Sequence, residues 1–162
     1  SKMTNMLGAR EYVSMIFEGS ASHMMALLPA IVFVVAIFLA FSTGTSWGTF
    51  GILLPIVAGI NLPSELLVIT VSACLAGAVC GDHCSPISDT TIMSSAGARC
   101  DHINHVTTQI PYVVLAASVS FVGYCIAGTV QNAWIVLAIC ILILLALLLG
   151  IRKFVSGREI EG

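Results

Sequence analysis

Apolar residues run along this chain in long blocks, and polar residues gather at a few places between them. Residues 133 to 151, AWIVLAICILILLALLLGI, are apolar without interruption and end at Arg152 and Lys153. A bilayer-crossing helix needs about 20 such residues. The block therefore predicts a transmembrane helix over 132–151, with Trp134 as an interfacial anchor. Residues 106–129 predict a second, joined to it by Gln131 and Asn132; Pro111 near its start is tolerable in a membrane helix. Residues 64 to 81, SELLVITVSACLAGAVCG, predict a third, capped by Ser64 after Pro63. Within it Ala73, Gly77 and Gly81 recur at every fourth position and make a small-residue face for close helix packing.

The apolar stretch from 24 to 60 is broken by FSTGTSWGTF, residues 41 to 50, although no Asp, Glu, Lys or Arg occurs between Gly19 and Ser64. The arm before this break is about long enough to span. The arm after it, FGILLPIVAGI with Pro55, rises only roughly 17 Å, half the hydrocarbon thickness. This pattern predicts a re-entrant helical hairpin over 23–60 with its tip at 43–48; two ordinary spans with a loop are the alternative. A second break, CGDHCSPISDTTIMSS at 80 to 95, follows the third helix. A short helix is expected at 89–97, so 64–97 reads as one crossing interrupted near its middle, unwound over 82–88. Ser85-Pro86 fits an N-cap followed by Pro at the first helical position. Residues 1–22 read as an interfacial connector helix with a rough apolar face (Met3, Met6, Leu7, Met15, Ile16). Residues 152–162 read as a tail.

Composition makes lipid the solvent. The chain is 58% hydrophobic and 9% charged, with a mean hydropathy of +1.04, where a soluble domain carries about 25% charged residues. The fold class is an all-α membrane protein. No basic stripe exists, so nucleic acid is not an expected partner. The six cysteines fit no disulfide framework and are read as reduced. Arg99 lies between two elements, and Arg152, Lys153 and Arg158 follow the last span, while 60–64 and 129–132 carry no Lys or Arg. The positive-inside rule then puts residues 98–105 and the C-terminus in the cytoplasm, and the hairpin opens from outside. The expected location is the cytoplasmic (inner) membrane, multi-pass.

Hydrocarbon offers no partner to free N–H and C=O groups, so irregular backbone at that depth must line a wet cavity or be buried in protein. Thr43, Gly44, Thr45 and Ser46 in the first break, and Ser85, Ser88, Thr90 and Thr91 in the second, are hydroxyl oxygens and close-approach backbone. They suit a small cation. Asp82 and Asp89 are the only acidic residues between Glu65 and Asp101. An ionisable group within a membrane is costly and is a functional candidate by default. A carboxylate holds a cation when charged and a proton when neutral. Asp89, flanked by hydroxyls, is the first choice, and Asp82 is its partner; capping or an interfacial position is the competing reading of both. Trp47 reads more readily as a brace for the turn than as a lining residue.

FSTGTSWGTFGILLPI and GDHCSPISDTTIMSSAGARCDHINHV resemble the NhaC-type sodium/proton antiporter family, within the wider ion-transporter group. The resemblance covers most of residues 26 to 130. It implies two inverted repeats, each with a re-entrant hairpin and an unwound crossing that meet at the substrate site. It implies sodium as coupling ion; the residues expected to hold it are Asp89, Thr45 and Ser88, and no other cofactor is expected. The co-transported species is a proton, or a small carboxylate of the malate or lactate type, or an amino acid. Family members are several hundred residues long and only one hairpin and one break occur here. The chain is therefore expected to be the C-terminal half, with the missing N-terminal half and the bilayer as its partners, and a homodimer as a further option. It is a secondary transporter and not an enzyme in this reading. A passive channel and a non-transporting scaffold are the other classes. His83, Cys80, Cys84, Cys100, His102 and His105 match no standard zinc spacing. His102 and His105 read as a solvated loop more readily than as a pH sensor, and His23 likewise.

Overall fold

A computed structural model describes residues 22–160, with side chains from 25 to 153. All regular structure among these residues is helical: α1 (Ser22–Thr43), α2 (Ser46–Val57), α3 (Ser64–Cys84), α4 (Asp89–Gly97), α5 (His102–Val130) and α6 (Ala133–Ile160). Four of them, α1, α3, α5 and α6, are long and apolar enough to cross a membrane. The expected connector helix at 1–22 lies, but for Ser22, outside the described residues.

Helices α1 and α3 run parallel and in register. A Cβ on Gly77 would strike the Phe33 carbonyl oxygen, and one on Gly81 the Ile37 carbonyl oxygen. One further turn along, Ser85 Oγ donates to the Phe41 carbonyl at 2.7 Å, again 44 residues apart in sequence. The small-residue face of α3 thus lets two backbones touch, which is how helices associate where lipid removes the hydrophobic drive. Helix α2 folds back on this pair. Its Leu53 is buried in one cluster with Ala36 and Ala40 of α1 and Cys74 and Ala78 of α3. Helix α5 runs antiparallel to both, with Tyr124 meeting Phe33 at a ring separation of 5.1 Å and Ser72 at 3.4 Å. Gln131, in the left-handed conformation (φ 51°), ends α5. Asn132 Oδ1 accepts from the N–H groups of Trp134 and Ile135 and starts α6. Helix α6 packs on α5 and leaves its other faces bare, Leu142 and Leu149 among them. Lipid covers such a surface without cost.

Several boundaries differ from those expected. The hairpin turn is only Gly44 and Thr45; Thr43 ends α1 and Ser46 begins α2. The arms are unequal, 22 residues against 12, so the first arm is itself of spanning length. The second break covers Ser85–Ser88 and not 82–88, because α3 stays helical through Cys84. Its end is set by Pro86: the residue before a proline is driven to extended backbone, and Ser85 has φ −76° and ψ 129°. Ser85-Pro86 therefore ends α3 instead of starting α4. With 21 residues before it, rising about 31 Å, the break is not at the middle of a crossing. Pro63, not Ser64, holds the N-cap position of α3. Helix α5 begins four residues before 106, at His102, which removes His102 and His105 from the loop. The last helix runs on to Ile160, through most of the expected tail.

Candidate functional site

The two breaks meet. Gly44 has φ +66°, a left-handed conformation open to glycine, and a Cβ there would come 2.9 Å from the Ile87 carbonyl oxygen. The hairpin turn thus rests directly on the backbone of the second break, and the bond from Ser85 Oγ to the Phe41 carbonyl ties them. Each break then starts a new helix. Thr45 is the N-cap of α2 and accepts from the Gly48 N–H at 3.3 Å. Ser88 is the N-cap residue of α4, but its hydroxyl makes no capping bond.

That hydroxyl is used elsewhere. Ser88 Oγ donates to Asp82 Oδ1 at 2.8 Å and shares a second contact of 2.8 Å with Thr90 Oγ1. Asp82 is 3% exposed and Ser85 and Ser88 are fully buried. The break therefore folds back over the last turn of α3 and brings hydroxyls to a buried carboxylate. Thr91, also buried, donates to the His83 carbonyl at 3.1 Å. The arrangement offers hard oxygen atoms, a carboxylate, and the N-terminal ends of two short helices, α2 and α4, which carry partial positive charge.

The expected residues divide into two groups. Asp82, Ser88 and Thr90 come together, Ser85 and Gly44 join the second break to the hairpin, and Thr45, beside Gly44, caps α2. Asp89, the first choice from sequence, is the first residue of α4 and is exposed. Thr43 is exposed and turns its hydroxyl back to the Leu39 carbonyl at 2.8 Å. Ser46 is half-buried at the start of α2. Trp47 is 82% exposed, with its ring edge-on to Phe50 at 5.8 Å. Sequence reasoning missed His102, whose Nε2 lies 2.7 Å from the Pro86 carbonyl oxygen. It also missed Gln109, whose Nε2 donates to the His83 carbonyl at 2.8 Å. The motif that includes His102 was in view, but nothing in its spacing pointed back to Pro86. A separate cavity of about 720 Å³ lies between α3, α5 and α6 around Glu65, Ser72 and Tyr124, away from both breaks.

Membrane-length helices that end at two abutting breaks, with a buried carboxylate bonded to the second, define a membrane protein built on discontinuous helices. Comparison with known proteins narrows it. The model described as the Na+/H+ antiporter family matches residues 2–129, and the chain belongs to that family. It is a multi-pass membrane protein. It is 45% identical over 155 residues to an uncharacterized protein of Haemophilus influenzae, covering 94% of this chain and 30% of the relative. It is 39% identical to an uncharacterized Na(+)/H(+) antiporter of the same organism, over 58% of this chain and 22% of the relative. It is 34% identical to the malate-2H(+)/Na(+)-lactate antiporter of Bacillus subtilis, over 54% of this chain and 20% of the relative. The chain thus spans less than a third of these relatives' lengths. No solved structure matches it.

Proposed function

We propose that the two abutting breaks bind sodium and that the protein exchanges sodium for protons across the cytoplasmic membrane, the C-terminus facing the cytoplasm. The observation that carries this reading is the buried Asp82 carboxylate bonded to Ser88 where the second break meets the hairpin turn. A charge buried in protein is costly when unaccompanied, so this carboxylate holds either a cation or a proton. Sodium is a hard cation, and Ser88, Thr90, Ser85 and Thr45 supply neutral oxygens beside it. Asp89, at the mouth of the α4 N-terminus, assists entry of the ion. A mirror half of the transporter completes the site, as inverted repeats do.

The malate-2H(+)/Na(+)-lactate antiporter relative favours a second reading, in which a small carboxylate travels with or against the ions. The exposed α2 and α4 N-termini suit its charge. The test is sodium-driven proton movement by the full-length protein in proteoliposomes. It is expected to occur with sodium and proton gradients alone and to be lost in Asp82→Asn. Movement that appears only when malate or lactate is added moves the function to the carboxylate reading. Wild-type rates in Asp82→Asn would remove the shared carboxylate from either mechanism.

A further inference from the structure

A helix break leaves carbonyls without helical partners, and side chains from a neighbouring helix can meet them. In the second break two of these carbonyls, His83 and Pro86, are met from α5. Gln109 Nε2 donates to the His83 oxygen at 2.8 Å, beside the Thr91 hydroxyl at 3.1 Å. His102 Nε2 lies 2.7 Å from the Pro86 oxygen. Positions 102 and 109 are seven residues apart, two turns on one face of the helix. Asp101 caps this end of α5 by accepting from the Asn104 N–H at 2.8 Å, which fixes where His102 stands.

His102 has a second contact. Its Nδ1 lies 3.0 Å from Ser95 Oγ of α4, and the Ser95 hydroxyl lies 2.9 Å from the Ile92 carbonyl oxygen. The Pro86 oxygen can only accept, so Nε2 carries a hydrogen in every protonation state. The role of Nδ1 is then open. In neutral His102 it accepts the Ser95 hydrogen, and the Ile92 carbonyl loses its side-chain donor. In charged His102 it donates to Ser95 Oγ, and the Ser95 hydrogen goes to Ile92. Both states are geometrically satisfied. The charged one has one more hydrogen bond, and the bond to Pro86 is strengthened by the charge.

We propose that His102 and Gln109 form a clasp from α5 on the second break, and that a proton on His102 tightens it. His102 is a positioning residue: it acts on the ion site through Pro86 and α4. The proposal deepens the sodium–proton exchange reading above and rests on it for its purpose, because the clasp makes the shape of the break follow pH. Histidine is the side chain whose charge changes nearest neutrality. The other titratable groups on the elements around it are Glu65, Cys74, Cys80, Asp82, His83 and Cys84 on α3, Asp89 on α4, and Arg99, Cys100 and Asp101 before α5. His105, Tyr112, Tyr124 and Cys125 follow on α5 itself, and α6 up to Lys153 carries Cys140, Arg152 and Lys153. Helix α1 brings none between Met25 and Thr43.

The test is amide hydrogen exchange over residues 85–96 of the full-length protein, expressed as protection factors at about pH 6 and about pH 8, the range of histidine titration. In the wild type, protection should be about fivefold higher at the lower pH, the factor carried by one net hydrogen bond. His102→Gln keeps a donor for Pro86 but cannot titrate, and its protection should be the same at both pH values. Gln109→Ala should lower protection near His83 at both. A wild type with equal protection at the two pH values, or a His102→Gln protein that still follows pH as the wild type does, overturns the proposal. Transport measured on the same samples separates the two ideas: absent sodium-driven proton movement defeats the exchange reading and leaves the exchange-protection result standing.

Discussion

Asp82 and Ser88 are joined by one 2.8 Å hydrogen bond across the second break, and both are buried. Losing the donor of such a charge-assisted bond weakens a site by about tenfold. Ser88→Ala is therefore expected to raise the sodium concentration for half-maximal transport by about that factor, with expression unchanged. Asp89 stands differently. It is exposed at the first position of α4, where the helix N-terminus favours its charge. Asp89→Asn is expected to lower sodium affinity several-fold and to leave maximal proton movement measurable in proteoliposomes. If it abolishes transport while Asp82→Asn retains it, the carrier is Asp89 and the buried pair is a structural tie. From sequence the two carboxylates were visible as candidates with Asp89 placed first; in the structure Asp82 is the buried one. The ranking depended on where α3 stops, and the signal was Pro86: a proline forces the preceding Ser85 out of the helix and leaves Asp82 inside it.

The breaks at 44–45 and 85–88 are elements in their own right, and their contact is as specific as a helix interface. Gly44 is at its centre. Alanine there would suffer twice, from φ +66° and from a Cβ 2.9 Å from the Ile87 carbonyl oxygen. A left-handed conformation costs a non-glycine residue about 1–2 kcal/mol, roughly tenfold in an equilibrium. Gly44→Ala is expected to weaken sodium-dependent transport by at least about that factor. Gly51→Ala is the control: nothing lies within 4 Å of its added Cβ, and wild-type sodium dependence is expected. Equal behaviour of the two variants in a sodium titration would remove the contact between the breaks from the mechanism. The spacing of Ala73, Gly77 and Gly81 marked the packing face of α3, because small residues every fourth position fall on one stripe of a helix. It did not identify α1 as the partner, since many apolar helices accept such a stripe.

At the scale of the molecule, the parallel α1 and α3 and the antiparallel α5 and α6 put the 131–132 turn on one side and the 98–101 connection on the other. With cytoplasmic positive charge, a Cys-free full-length protein carrying only Cys100 is expected to react with an impermeant thiol reagent from the cytoplasm. One carrying only Asn132→Cys should react from outside. The opposite pattern inverts the orientation, and labelling of both from one side removes the single crossing of α5. The sequence by itself determined the solvent, the helical class, the spanning blocks and the two polar interruptions. These follow from local composition, since a run of apolar residues long enough to cross lipid needs no tertiary contact to be recognised. The tertiary structure decided which oxygens meet. Ser85 reaches Phe41, Gly44 rests on Ile87, and His102 reaches back to Pro86. Each of these contacts depends on the register of packed helices and on where a break begins, and a single residue's shift in either moves a side chain about 100° around its helix.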